Sequence, residues 1–230
     1  MEVTLDSQHF PSGKDYACLR AADGSKTFLR NIAFLHAPRA PHKIVLVHEW
    51  EYPMDHEWEP PKGQMEWKEL KAEGYRRGAK VSIEELLKAM RAGVLREIAE
   101  EAKIPAAAIR NLHVLPVAYT APFKEAGAGA QFRYQFWTGE VTVAAVAAAQ
   151  RTLERIVGDP DVQARLPADK KEKDAVGFWS PEDVGESTIE SSDFKKGRGQ
   201  RGCEATPWGK IRGAFSGTMT RMYYEWLGRK

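Results

Sequence analysis

Ser82 and Glu85 stand three residues apart at the head of "SIEELLKAMRAGVLREIAEEA", and this stretch constrains the chain more than any other. A hydroxyl followed at that spacing by a glutamate forms a capping box, in which each side chain satisfies a backbone N–H that the first helical turn leaves unbonded. Apolar residues then recur at helical spacing, which predicts a long helix. Gly93 falls inside it, at a cost of about 1 kcal/mol relative to alanine, and marks a kink or a junction. Towards the end, Glu97, Glu100 and Glu101 fall at i, i+3 and i+4 on one face. Like charges at those spacings repel by roughly a few tenths of a kcal/mol per pair. Two explanations are open. Arg96 and Lys103 nearby make this an ordinary solvated face, or the face gathers around a positive ligand.

Strand-type sequence flanks the helix on both sides. "KIVLVHEW", from Lys43, is β-branched and apolar and reads as a buried strand, and "FLRNIAFLHA" reads as another after polar turns around "AADGSK". "EYPMDHEWEPPKGQMEW" carries three prolines and a glycine, so it is a loop or a broken extended segment. Beyond the helix, "NLHVLPVAYTA" and "QFRYQFWTGEVTV" read as strands separated by the loop "PFKEAGAGA". "AAVAAAQRTLERIVGD" is an alanine-rich helix, and "AVGFWSPEDV" is a strand leading into a helix start at Ser180-Pro181. "SSDFKKGRGQRGCEATPWG" is a polar, glycine-rich loop, and "KIRGAFSGTMTRMYYEWLGRK" is a C-terminal helix despite Gly213 and Gly217. This order favours a mixed α/β or α+β layer arrangement over a parallel doubly wound sheet.

The bulk properties narrow the function classes only slightly. A net charge of +2 on 230 residues decides nothing about partners. No run approaches a membrane span, and "MEVTLDSQHFPSGKDY" lacks the basic start and apolar core of a signal peptide, so no membrane partner and a cytoplasmic location are expected. Cys18 and Cys203 match no metal or redox spacing and are expected as reduced thiols. Carboxylates, histidines and basic residues are the catalytic resources left in quantity.

Preceded by "PPKGQMEWKE", the hexapeptide "REIAEE" resembles the Nudix hydrolase signature: a glycine, five residues, a glutamate, seven residues, then Arg-Glu-aliphatic-x-Glu-Glu-x-Gly-aliphatic. Gly63 and Glu69 fit the first half, and Arg96, Glu97, Ile98, Glu100, Glu101 and Ile104 fit the second. The chain departs from the pattern twice. Residues 70 to 95 stand where the family has seven, an insertion of about nineteen residues, most simply Lys71 to Met90, so the pairing of Glu69 with Arg96 is an open point. Lys103 stands where the family has a glycine that caps the helix in the left-handed region, so either a strained turn or a different helix ending is expected.

The resemblance implies an α/β fold, the Nudix α/β/α sandwich with a mixed central sheet, a loop–helix insertion at about 70–91 and a C-terminal extension at about 190–230 of a single domain. It also implies magnesium, with manganese as substitute, held mainly by Glu100 and Glu101, with Glu97 as a ligand or a base and the Gly63 carbonyl and Glu140 from "YQFWTGEV" as further ligands. Glu97, Glu100 and Glu140 are the implied catalytic residues, Glu125 is a competing general base, and Arg96 pairs with a glutamate to orient the loop. The activity implied is hydrolysis of a pyrophosphate bond.

"WEPPKGQME" is closer to the entrance of diadenosine tetraphosphate hydrolases than to the double-glycine entrance of other members; by that likeness Lys62 points at a phosphate, and otherwise it is a surface lysine in a proline loop. In "FRYQFWTG", Tyr134 and Phe136 share one strand face and Arg133 and Trp137 the opposite one; a ring here stacks on a nucleobase or is simply core. Tyr119 and Phe123 carry the same alternatives. Basic residues cluster in the insertion (Lys68, Lys71, Arg76, Arg77, Lys80) and in the late loop (Lys195, Lys196, Arg198, Arg201), either as solvated loops or as phosphate contacts. His48, His56 and His113 show no metal spacing, and His56 lies beside the proline loop. The expected substrate is a polyphosphorylated small molecule, a dinucleoside polyphosphate or a diphosphoinositol polyphosphate. Capped RNA is the alternative, through mRNA decapping, and a catalytically reduced binding module is a third reading.

Overall fold

The computed structural model describes residues 2–49, 58–167, 172–180 and 215–228. It is a mixed α/β fold with a central sheet and helices, as the order of elements predicts. The chain forms two compact units, Met1–Ala33 with Lys62–Glu97 and His113–Trp137, and Phe34–Pro61 with Ile98–Leu112 and Thr138–Lys230.

In the first unit, β1 (Glu2–His9) and β2 (Asp15–Arg20) form an antiparallel hairpin with Thr4 opposite Arg20 and His9 opposite Asp15. The start of β3 (Lys26–Ala37) continues that sheet, with Cys18 opposite Phe28. The short strand β6 (Lys62–Gln64) lies antiparallel to β3 and sets Gly63 opposite Asn31. Strands β8 (Ile109–Pro122) and β9 (Gln131–Val141) pair with each other. β1 and β2 are absent from the strands that the sequence predicts. Their alternation is blurred by half-buried polar residues such as Thr4 and Ser7, which read as turn sequence. The core holds fully buried Leu5, Phe28, Ile32, Leu70 and Val94, and Phe123 stacks on Phe132 at 3.9 Å with Phe28 edge-on at 5.0 Å. Cys18 is buried there, and burial first, then the nearby Asp6 carboxylate, pushes its thiol up to about 11.

The segment expected as an insertion, about 70–91, carries more than a loop and a helix. α1 (Trp67–Ala72) ends in a turn where Gly74 and Gly78 take positive φ of 89° and 80°. β7 (Lys80–Ser82) then adds to β1, with Val3 opposite Val81, and leads directly into α2 (Ile83–Glu101). The capping box forms as expected: Glu85 N–H donates to Ser82 Oγ at 3.2 Å, and Ser82 N–H to Glu85 Oε2 at 2.8 Å. Gly93 is a junction. A Cβ there would meet Asn31 Nδ2 at 3.2 Å and Glu69 Oε1 at 3.3 Å. Asn31 is buried, accepts from Trp137 Nε1 at 2.9 Å and donates to the Met90 carbonyl at 3.3 Å, so it has little room to give.

In the second unit, β4 (Ala40–Glu49) takes the end of β3 on one side, with Ile44 opposite His36. It also pairs with β10 (Lys173–Trp179), with Val47 opposite Val176, and with the two-residue β5 (Trp58–Glu59). α3 (Val143–Gly158) is N-capped by Thr142 and buries Val146, Ala149, Leu153 and Ile156; its Gln150 accepts from Val176 N–H at 2.7 Å. The shorter α4 (Pro160–Arg165) is capped by Asp159. α5 (Phe215–Leu227) sends Tyr223 onto Phe34, centroids 4.4 Å apart, and its hydroxyl donates to the Pro41 carbonyl at 2.9 Å. The helix start expected after Ser180, His56 and the late basic loop lie outside the described residues. Among the described residues, no helix is long and apolar enough to cross a membrane.

Candidate active site

Short strand β6 presents a backbone with no side chain at Gly63, and the Glu97 carboxylate fills the space this leaves. An ideal Cβ at Gly63 would lie 1.8 Å from Glu97 Cδ and about as close to both of its oxygens. Glu97 is 8% exposed and accepts from Arg96 Nη2 at 2.5 Å. Arg96 also donates through Nε to Glu69 Oε1 at 2.8 Å, while Glu69 Oε2 accepts the N–H of Glu66 at 2.7 Å. The structure therefore brings Gly63, Glu69, Arg96 and Glu97 together despite the 26 residues between Glu69 and Arg96. Arg96 bonds both acids at once. Any side chain at residue 63 would evict Glu97. We expect Gly63→Ala to lower the hydrolysis proposed for this chain by about a hundredfold, the scale a misplacement of about 1 Å can reach, and steady-state turnover measures it.

Glu97, Glu100 and Glu101 occupy the last five residues of α2. Within the second unit, Glu101 Oε1 lies 3.9 Å from Lys173 Nζ at the start of β10. That ammonium is 4% exposed and donates to Glu59 Oε1 at 2.7 Å, with Glu49 Oε2 at 3.8 Å. Burial by itself would lower the Lys173 pKa, but the surrounding carboxylates outweigh it and hold the ammonium above the ordinary lysine value. Sequence reasoning missed Lys173, because "DKKEKDAV" reads as a solvated charge run. The signal is its register, which sets Lys173 opposite Glu49.

Past the helix, Lys103 takes φ of 55°, the left-handed conformation expected of a glycine there, and its ammonium donates to the Glu100 carbonyl. Of the two outcomes the sequence leaves open, the strained turn is the one present. We expect Lys103→Gly to stabilise the protein by about 1 kcal/mol, which raises Tm by about 2–4 °C for a chain of this size in a thermal melt.

Glu140, half-buried at the end of β9, accepts from Asn111 Nδ2 at 3.2 Å, while Glu125 is exposed on the turn Lys124–Ala126. Lys62 is half-buried on β6, and Arg133 is exposed on β9. Tyr134 is 1% exposed, and its hydroxyl accepts from Arg30 Nη1 at 2.7 Å, so it sits in the core. Arg76 is exposed, whereas Arg77 donates to Ser7 Oγ at 2.6 Å and Asp15 Oδ2 at 2.5 Å and lies 5.2 Å from the Trp67 ring. Arg77 thus ties the inserted turn to the β1–β2 hairpin. His48 pairs with Asp174 at 2.7 Å, and His113 is exposed.

Carboxylate oxygens are the hard donors a magnesium ion takes, and Glu97, Glu100 and Glu101 are donors of that chemical kind. Among the described residues, no group of three or more His, Cys, Asp or Glu side chains is disposed to hold a metal. In the first unit Arg96 supplies positive charge to Glu97, and in the second unit Lys173 supplies it to Glu101.

No protein-family model and no curated protein matches the sequence. Solved structures do. The crystal structure of a C. elegans Ap4A hydrolase binary complex is similar at 15% identity and a TM-score of 0.39, over 88% of this chain and 99% of that one. A NUDIX hydrolase from Nitrosomonas europaea is similar at 14% identity and a TM-score of 0.41, over 89% of this chain and 92% of that one. Over most of its length, at low sequence identity, the chain is similar in structure to Nudix hydrolases.

Proposed function

We propose that the protein is a magnesium-dependent hydrolase that cleaves a phosphoanhydride bond in a polyphosphorylated substrate, with dinucleoside polyphosphates and diphosphoinositol polyphosphates as the first candidates. The observation that carries this reading is the meeting of Glu69, Arg96 and Glu97 at Gly63, across an interruption that gives those residues no local reason to meet.

In this reading Glu97, Glu100 and Glu101 hold the ion, with the Gly63 carbonyl and Glu140 as further oxygen donors. A magnesium or manganese ion held there would supply positive charge to the linked phosphates and would lower the pKa of an attacking water. Arg96 keeps Glu97 in place by bonding it and Glu69 at once. Glu140 accepts a proton from the water, with Glu125 as the competing base. Lys62, Arg76 and Arg133 contact phosphates. Arg77 and Tyr134 act through the framework they brace, via Asp15 and Arg30.

The test is turnover of a panel of diadenosine polyphosphates, diphosphoinositol polyphosphates and capped RNA in ¹⁸O-labelled water, with products identified by mass. We expect one labelled oxygen in a phosphate-containing product, loss of turnover on chelation and its return with magnesium or manganese. Cleavage confined to capped RNA, falling steeply with salt, would select the decapping alternative. No product from any substrate with either ion would overturn the proposal and leave a binding module.

A further inference from the structure

Beside Gly63, β6 carries a side chain that points the other way. Successive residues of a strand face opposite sides, and the Cβ direction of Gly63 leads to Glu97, so Gln64 lies on the face turned away from that carboxylate. Arg30 stands opposite Gln64 on β3. Its neighbour Asn31 bonds to the Met90 carbonyl of α2, which leaves Arg30 on the same face as Gln64. All of these residues belong to the first unit.

Arg30 donates through Nη2 to Gln64 Oε1 at 3.0 Å and through Nη1 to the Tyr134 hydroxyl at 2.7 Å, and its guanidinium carbon lies 3.9 Å from the centre of the Phe132 ring. These partners are an amide, a phenol and a ring. Among the described residues no carboxylate pairs with Arg30, although it is half-buried. Two nitrogens here are shut off from water and have no acceptor among the described residues: Arg30 Nε and Gln64 Nε2, the latter on a side chain only 9% exposed. Buried donors in that state cost free energy, and so does a cation taken from water without counter-charge. Bracing Tyr134 accounts for the bond at Nη1 and leaves the other two donors unexplained. Both deficits have one sign, and a negatively charged oxygen answers both. The two donors also belong to the two groups that one hydrogen bond joins, so a single small ion serves them together.

We propose that Arg30 and Gln64 form an oxyanion site on the side of β6 away from Glu97, one that takes a phosphate or a carboxylate group. The guanidinium supplies the charge, and Arg30 Nε and Gln64 Nε2 donate to the ligand's oxygen in bonds that charge strengthens. No metal ion takes part, so the site loads without magnesium and stands apart from the hydrolysis proposed above.

Thermal melts of the full chain in EDTA test this, with sodium phosphate or sodium acetate replacing chloride at constant ionic strength. We expect the wild-type Tm to rise saturably with one or both anions, by about 3–6 °C at about ten times the Kd, whereas the general effect of an excluded salt does not saturate. The anion that saturates tells phosphate from carboxylate. Gln64→Glu puts a charged oxygen in place of the unbonded amide nitrogen at nearly constant shape, and so supplies the counter-charge from within. It is expected to melt above wild type in chloride and to lose the saturable rise. Arg30→Met is expected to lose the rise as well, and Gln64→Glu decides the matter if Arg30→Met does not fold. A wild-type Tm that follows neither anion saturably would overturn the inference, as would a saturable rise kept in full by folded Gln64→Glu.

Discussion

Glu100→Gln lowers turnover of the best polyphosphate substrate by about a hundred- to a thousandfold, the range seen when one contact to developing charge is removed from a preorganised site. The exchange is nearly isosteric, and Glu100 is only half-buried, so the melt should move little while the chemistry collapses. The glutamine amide keeps an oxygen but loses the charge that a hard divalent ion requires of its donors. Product formation at saturating magnesium, read by chromatography, gives the value. Turnover within threefold of wild type would remove Glu100 from the site.

Glu59→Ala has the largest expected effect on stability. It strips the nearest carboxylate from a 4%-exposed ammonium, and breaking a buried pair of this kind costs about 3–5 kcal/mol. For 230 residues that lowers Tm by about 10 °C. The pH dependence follows from the direction of the lysine's shift. Because the folded Lys173 pKa is raised, its contribution is fully present below the ordinary value of 10.5 and is lost only as pH climbs through the folded value. The difference in Tm between wild type and Glu59→Ala should therefore be unchanged by this lysine across neutral pH and shrink only in strong alkali. A Tm within 2 °C of wild type at pH 7 would show that water reaches the pair.

Much of the candidate site's local arrangement could be read from the sequence because helical periodicity is local information. Ser82 and Glu85 fix where α2 begins, and the spacing of Glu97, Glu100 and Glu101 sets them on one face before any tertiary contact is known. The left-handed turn at Lys103 could be read in the same way, since only its neighbours along the chain define it. The rest depends on pairing between distant segments. Lys173 looks like one more solvated lysine until β10 is set against β4, and Arg77 looks like a phosphate ligand until the hairpin brings Asp15 to it. Tyr134 had two readings by alternation, and only the guanidinium of Arg30 at its hydroxyl separates them. β1 and β2 escaped because their buried positions are shared among Leu5, Asp6, Ala17 and Cys18, a mixture with weak strand propensity.

The excursion from Glu69 to Arg96 departs and returns at one spot, where a carboxylate and a guanidinium clasp its two ends. Changing the length of a loop whose ends are already held together costs only about 0.6 kcal/mol per doubling. Evolution or a designer can thus lengthen, trim or replace the Gly74–Gly78 bend as a cassette without disturbing the clasp. What limits such editing is β7, because discarding it would strip β1 of a neighbour and uncover a row of backbone groups able to recruit another chain.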